Sequence, residues 1–130
     1  MVVPRFIQSA IKNESITIYG DGTQSRVFCH VQDAVKAILT IAKTDSTIGQ
    51  VYNIGGVGET TIKQLAEKII ERTKSTSTIT FTAYDDAYPA GYEDMQRRVP
   101  DTTKIKSSIG WSPANTLDNI IDDIAAEMKK

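Results

Sequence analysis

The stretch Ile16-Thr17-Ile18-Tyr19-Gly20-Asp21-Gly22-Thr23-Gln24-Ser25-Arg26-Val27-Phe28-Cys29-His30-Val31-Gln32-Asp33 sets the fold class. Ile16 to Tyr19 has the β-branched and aromatic content of a short strand, and Gly20-Asp21-Gly22 supplies the turn that closes it. Arg26 to Val31 reads as a short extended piece. From about Asp33 to Ala42, Val35, Ile38, Leu39 and Ala42 recur at helical spacing on one face. Asp33 suits the N-cap, because its carboxylate can accept orphan backbone N–H bonds.

Upstream, Val3, Phe6, Ile7, Ala10 and Ile11 give Val2 to Lys12 a helical period. Pro4 falls in the first turn, where a missing N–H does no harm. Downstream, Val51-Tyr52-Asn53-Ile54 reads as a strand that runs into Gly55-Gly56-Val57-Gly58. Thr61 and Gln64 form a capping box that opens a helix with Ile62, Leu65, Ala66, Ile69 and Ile70 inward. Lys74 to Ser77 is a polar turn, and Ile79 to Tyr84 is a third strand. Asp85 to Pro100, with Pro89, Gly91 and tyrosines at 84, 88 and 92, reads as a loop that packs on or lids a pocket. Helices resume over Thr102–Ile109, with Gly110 as C-cap, and over Leu117–Met128. The expected fold is α/β in the mixed α+β sense: one domain over 1–130, a few short strands and packed helices. Such a thin sheet has edges that need a partner.

Composition excludes several classes. The 130 residues are 40% hydrophobic and 24% charged, with a net charge of −1, as in an ordinary globular domain. The isoelectric point near 5.8 and the absence of a basic stripe speak against a nucleic-acid partner. Cys29 is the single cysteine, which rules out an internal disulfide and points to a reducing, cytoplasmic setting. No apolar run reaches membrane-spanning length, and the first residues do not read as a signal peptide.

Each candidate motif has a plain structural alternative. Gly56-x-Gly58 follows a strand and precedes a helix, as a dinucleotide fingerprint does. The third glycine is replaced by Thr61, however, and Glu59 would oppose phosphate, so a tight strand-to-helix turn is expected. Arg97-Arg98 precedes Pro100-Asp101. With Arg26 these guanidinium groups can converge on a pyrophosphate, since arginine binds phosphate in a bidentate way. His30 is either a general base or a packed residue, and packing is the expectation. Cys29 reads as a small buried hydrophobe. The acidic pairs Asp85-Asp86 and Asp122-Asp123 lack metal-ligand spacing, and the second reads as a helix face in water. No metal site is expected.

Five stretches together resemble the extended short-chain dehydrogenase/reductase family of nucleotide-sugar enzymes: Val2-Val3-Pro4-Arg5-Phe6-Ile7, Ile16 to Asp33, Val51 to Gly55, Arg97 to Trp111, and Ser112-Pro113 with the Leu117 helix. That family includes UDP-galactose epimerases, nucleotide-sugar 4,6-dehydratases and UDP-glucuronate decarboxylases. The resemblance implies that this chain is the substrate-binding, C-terminal part of such an enzyme. It implies that Thr17-Ile18-Tyr19 meets a uracil or thymine base through its backbone. It also implies that Arg26 and Arg98 contact the nucleotide phosphates and that Asp101 holds the ribose hydroxyls. The partner so implied is a UDP- or dTDP-linked sugar.

The family's glycine-rich NAD turn has no counterpart upstream. The tyrosines at 19, 52, 84, 88 and 92 are followed four places on by Thr23, Gly56, Tyr88, Tyr92 and Gln96, so its Tyr-x-x-x-Lys pair is missing. The expectation is therefore no catalytic residue and no cofactor on this chain. NAD would be bound by a Rossmann half supplied in cis or in trans. Two rivals stand beside this reading. One is an autonomous nucleotide-binding module. The other is a non-catalytic remnant that oligomerises, for instance as a homodimer, through an exposed apolar patch expected near Phe6 and Ile7.

Overall fold

A computed structural model describes residues 1–87, 89 and 94–130. In chain order these form α1 (Val2–Ile11), β1 (Ile16–Tyr19), β2 (Ser25–Val27), α2 (Val31–Ala42), a 3-10 turn (Asp45–Thr47), β3 (Glu59–Thr61), α3 (Ile62–Thr73), β4 (Ile79–Thr82), α4 (Tyr84–Ala87), β5 (Arg97–Arg98), α5 (Thr103–Ile109) and α6 (Leu117–Met128). The mixed α/β class expected from the sequence is the one observed. Tyr88, Gly91 and Tyr92, three of the residues on which the loop reading rests, lie outside the described residues. No helix among the described residues is long and apolar enough to cross a membrane.

The chain forms two compact units. The first holds Met1–Arg26, Thr60–Arg98 and Ile121–Lys130. In it β1 and β4 pair in parallel, Ile16 opposite Ile79 and Tyr19 opposite Thr82. A three-stranded sheet has the order β3-β2-β5. Helices α1 and α3 pack on each other and on β1. Phe6, Ile7, Ile16, Ile18, Leu65, Ile69 and Ile121 are all fully buried. Burying each such side chain contributes about 1.5–3 kcal/mol. The capping box is present: Gln64 N–H donates to Thr61 Oγ1, and Thr61 N–H donates to Gln64 Oε1. Arg72 on α3 forms an ion pair with Asp122 on α6, so that carboxylate is not simply a solvated helix face.

The second unit holds Val27–Glu59 and Val99–Ile120. Its core is Ala37, Ile105 and Trp111, with Ile41, Tyr52, Ile54 and Ile109 packed against them. Helix α2 departs from the sequence reading at its N-cap. Its N-cap is His30, whose Nδ1 accepts from the Gln32 N–H, so the one histidine serves as a packed cap. Asp33 lies inside the first turn, buried, and accepts from the Asn115 N–H at 2.9 Å. Burial alone would raise its pKa, yet the N–H bonds from Asn115 and Ala114 hold it below the usual carboxylate value. On the apolar face of α2, Val35, Ile38 and Leu39 are exposed. The apolar patch expected near Phe6 and Ile7 is therefore elsewhere, since both of those residues are buried.

Val51 to Ile54 also differs from expectation, because it joins no strand ladder among the described residues. The turn that follows is a packing device. A Cβ on Gly56 would lie 1.7 Å from the Phe28 carbonyl oxygen, and one on Gly55 would lie 2.3 Å from Pro100 Cγ. At Gly56 the contact is with backbone, which leaves no room to shift. Gly49 offers a contrast, with φ of +74° and nothing within 4 Å. Gly56→Ala is expected to cost at least about 2 kcal/mol in denaturant unfolding. Gly49→Ala should cost only about 1 kcal/mol, from its left-handed backbone. Equal losses would contradict the packing argument.

Candidate functional site

The residues singled out from the sequence divide between the two units. Thr17, Ile18, Tyr19, Arg26 and Arg98 fall in the first and Asp101 in the second. Within the first unit, the parallel register of β2 and β5 places Ser25 opposite Arg97 and Arg26 opposite Arg98. Register partners in a ladder project to the same side, with backbones roughly 4.8 Å apart. Arg26 and Arg98, distant in sequence, are therefore neighbours.

Their environments differ. Arg26 is 8% exposed. Its Nη1 donates to the Ser25 carbonyl at 2.7 Å and its Nη2 to Asp94 Oδ1 at 2.6 Å. Arg98 is exposed and has no ion-pair partner among the described residues. One arginine is thus anchored and the other open to solvent.

Asp94 links this pair to the strand singled out for the base. Tyr84 Oη donates to Asp94 Oδ2 at 3.2 Å and accepts from Gln24 Nε2 at 2.9 Å. The same Nε2 donates to the Tyr19 carbonyl at 3.0 Å. A continuous hydrogen-bonded path therefore runs from β1 through Gln24, Tyr84 and Asp94 to Arg26. Gly20 makes the path fit. Its φ is +75°, and a Cβ there would lie 2.5 Å from the Tyr84 ring. Asp21 holds the turn by accepting from Thr23 Oγ1 and the Thr23 N–H, and these bonds lower its pKa. On β1, Ile16 and Ile18 are buried while Thr17 and Tyr19 are half-buried. Arg5 Nη2 donates to the Thr17 carbonyl at 3.1 Å, and the guanidinium lies 4.7 Å from the centre of the Tyr19 ring.

In the second unit, Asp101 is exposed. Its Oδ1 accepts from the Thr103 N–H at 2.8 Å at the start of α5, and bonds from Thr103 lower its pKa. The Asp101 carbonyl accepts from Asn53 Nδ2. Cys29 is half-buried, and burial, with Asp33 second, pushes its thiol pKa up. That makes it a poor nucleophile at neutral pH. Among the described residues there is no metal-binding group of three or more His, Cys, Asp or Glu. The Gly55–Gly58 turn does not fit a dinucleotide either, because the space beside Gly56 is filled by the Phe28 carbonyl.

Gln24, Tyr84, Asp94 and Arg5 were not singled out from the sequence as site residues. Only the tyrosine spacing drew attention to Tyr84, and nothing local distinguishes an acid that acts on a residue 68 positions away.

Comparison with known proteins places this geometry in a family. Residues 1–124 match the GDP-mannose 4,6 dehydratase family model. The chain is 40% identical over 113 residues to the UDP-N-acetyl-alpha-D-glucosaminuronate decarboxylase of Bacillus cytotoxicus, covering 86% of this chain and 35% of that protein. It is 36% identical over 117 residues to UDP-glucuronic acid decarboxylase 1 of Danio rerio, covering 90% of this chain and 26% of that one. Among solved structures, UDP-glucose 4-epimerase from Thermotoga maritima, determined with UDP-glucose, superposes with a TM-score of 0.86 at 27% identity, over 99% of this chain and 39% of its own. The dTDP-glucose 4,6-dehydratase of Bacillus anthracis, determined with NAD, gives 0.86 at 25% identity, again over 99% and 39%. The chain thus spans about a third of the length of the curated relatives it matches.

Removing the Asp94 carboxylate should strand a mostly buried guanidinium. A fully buried pair would cost about 3–5 kcal/mol to break. The Asp94 side chain is 27% exposed, so Asp94→Ala is expected to lose about 1–3 kcal/mol after solvent screening. Asp94→Asn, whose single amide oxygen can still accept from Arg26, should lose less. Chemical denaturation of the three proteins checks the order, and an Asp94→Ala protein as stable as the parent would refute the anchoring role.

Proposed function

Because the chain belongs to the GDP-mannose 4,6 dehydratase family of NAD-dependent nucleotide-sugar epimerases and dehydratases, we propose that it recognises the nucleotide diphosphate of a UDP- or dTDP-sugar. The observation that carries this is the in-register pairing of Arg26 with Arg98. Two guanidinium groups on one side of a ladder repel unless an anion lies between or beside them. Asp94 balances only one of the two charges. A pyrophosphate offers two negative groups with the planar oxygen geometry that arginine forks match.

In this reading Thr17-Ile18-Tyr19 meets the base, and Arg26 and Arg98 hold the phosphates. Binding energy from the nucleotide then orients the sugar for chemistry performed elsewhere. This sequence contains no Tyr-x-x-x-Lys pair. Hydride transfer, with NAD, is accordingly assigned to a Rossmann half, so isomerase or lyase activity belongs to the whole enzyme. The substrate-binding C-terminal part is the role left for residues 1–130. A cytoplasmic setting goes with the reading and is supported by the single unpaired cysteine.

The test is calorimetric titration of the chain with UDP. Arg98→Ala alters an exposed residue and should leave the fold intact while weakening UDP roughly tenfold or more. The Arg26→Ala, Arg98→Ala double variant should bind none. Unchanged affinity in the double variant would reject the assignment.

A second reading, a module completed by another protein surface, is favoured by α2. Val31, Val35, Ile38 and Leu39 are 48–69% exposed. Except for Ile38 they line a shallow cleft of about 490 Å³ with Lys36 and Lys43. Either the Rossmann half or a second copy of the chain would cover such a stripe. If the occupant is a second copy, sedimentation velocity should show a concentration-dependent dimer that Leu39→Asp abolishes. A monomer at every concentration removes the homodimer from consideration.

A further inference from the structure

We propose that Asp94 is an autoinhibitory contact: its carboxylate holds the Arg26 fork where a phosphate group would sit, and it has to be displaced before Arg26 can bind one. The proposal rests on the nucleotide diphosphate reading above and concerns how that site is regulated. Its basis is the geometry of the two charges. Arg26 Nη2 donates to Asp94 Oδ1 at 2.6 Å, and Nη1 donates to the Ser25 carbonyl at 2.7 Å. Each η nitrogen therefore already has an acceptor. The Arg26 side chain is 10% exposed, whereas that of Asp94 is 27% exposed. The acid is the more open member of the pair, so an anion that approaches Arg26 comes against a like charge.

A carboxylate and a phosphate both present acceptor oxygens to the same N–H fork. They cannot share the position at Nη2, and like charges brought together away from bulk water repel strongly. One of the two must leave.

Chain placement identifies the group that moves. Arg26 lies within β2, held in register with Arg98 of β5. Asp94 lies on the short stretch before β5, outside either strand. Its Oδ2 accepts from Tyr84 Oη at 3.2 Å, a bond that can persist while Oδ1 turns away from Arg26. Arg98 is exposed and has no ion-pair partner among the described residues, so it takes one anionic group without any displacement. The second anionic group of a diphosphate, the one that needs Arg26, bears the cost of moving Asp94.

The experiment is calorimetric titration of the full chain with UDP, for the parent, Asp94→Asn and Asp94→Glu, with circular dichroism as the check on folding. Asp94→Asn removes the competing charge and keeps a neutral acceptor for Arg26. It is expected to bind UDP about tenfold more tightly than the parent. Asp94→Glu keeps the charge and should stay within about threefold of the parent. Uridine, which has no phosphate, should bind the parent and Asp94→Asn alike in an amide-shift titration. A purely structural role for Asp94 predicts the reverse, weaker UDP binding by Asp94→Asn. That result, unchanged UDP affinity, a gain shared by Asp94→Glu or an equal gain for uridine overturns the autoinhibitory contact and leaves the diphosphate reading standing. If Asp94→Asn does not fold, carboxyl-carbon NMR of the parent carries the test. The Asp94 side-chain resonance should shift at saturating UDP, and an unmoved resonance overturns the proposal. No UDP binding by either the parent or Asp94→Asn overturns both readings.

Discussion

The guanidinium of Arg26 is buried, and a charge taken out of water must be paired. Asp94 supplies the pair, and the consequences extend through the first unit. Its second oxygen accepts from Tyr84, which orients Gln24, which holds the Tyr19 carbonyl at the end of β1. The side-by-side placement of Arg26 and Arg98 follows from the β2–β5 register, and the position of Asp94, just before β5, joins that register to β1. Candidate base-reading and phosphate-holding groups are therefore parts of one polar network. A fully satisfied network of this kind specifies geometry more than it adds stability.

The second unit shows the opposite situation, apolar groups without cover. Helix α2 buries Ala37 and Asp33 and leaves Val35, Ile38 and Leu39 outward. Exposed apolar stripes on otherwise ordinary domains mark surfaces that another surface occupies. The chain covers 35% of one curated relative and 26% of another.

Where local chemistry decides structure, the sequence was legible. The capping box at Thr61 and Gln64, the helical period of α1, the Gly110 C-cap and the strand at Ile16–Tyr19 each follow from neighbours within a few residues. Long-range pairing was not legible. Strand β5 is two residues long and exists because β2 lies beside it. Val51 to Ile54 has strand composition but no ladder partner among the described residues, and composition alone cannot supply one. The apolar period of α2 is present, yet periodicity does not say whether a stripe faces the core or the outside. Asp33 looked like an N-cap because its residue type favours caps, whereas His30 took that place and Asp33 turned to Asn115. For the candidate site, Arg26 and Arg98 could be singled out by charge and by family resemblance. Asp94, Gln24 and Arg5 could not, since their parts depend on contacts fixed only by the fold.

The central claim is that the first unit carries a nucleotide diphosphate site along β1, β2 and β5. Amide chemical-shift mapping of the isotope-labelled chain during titration with UDP tests it most directly. The account predicts shifts concentrated at Thr17, Tyr19, Arg26 and Arg98, with α2 unaffected. An absence of shifts at saturating UDP, or shifts centred on the Gly55–Gly58 turn, would contradict it.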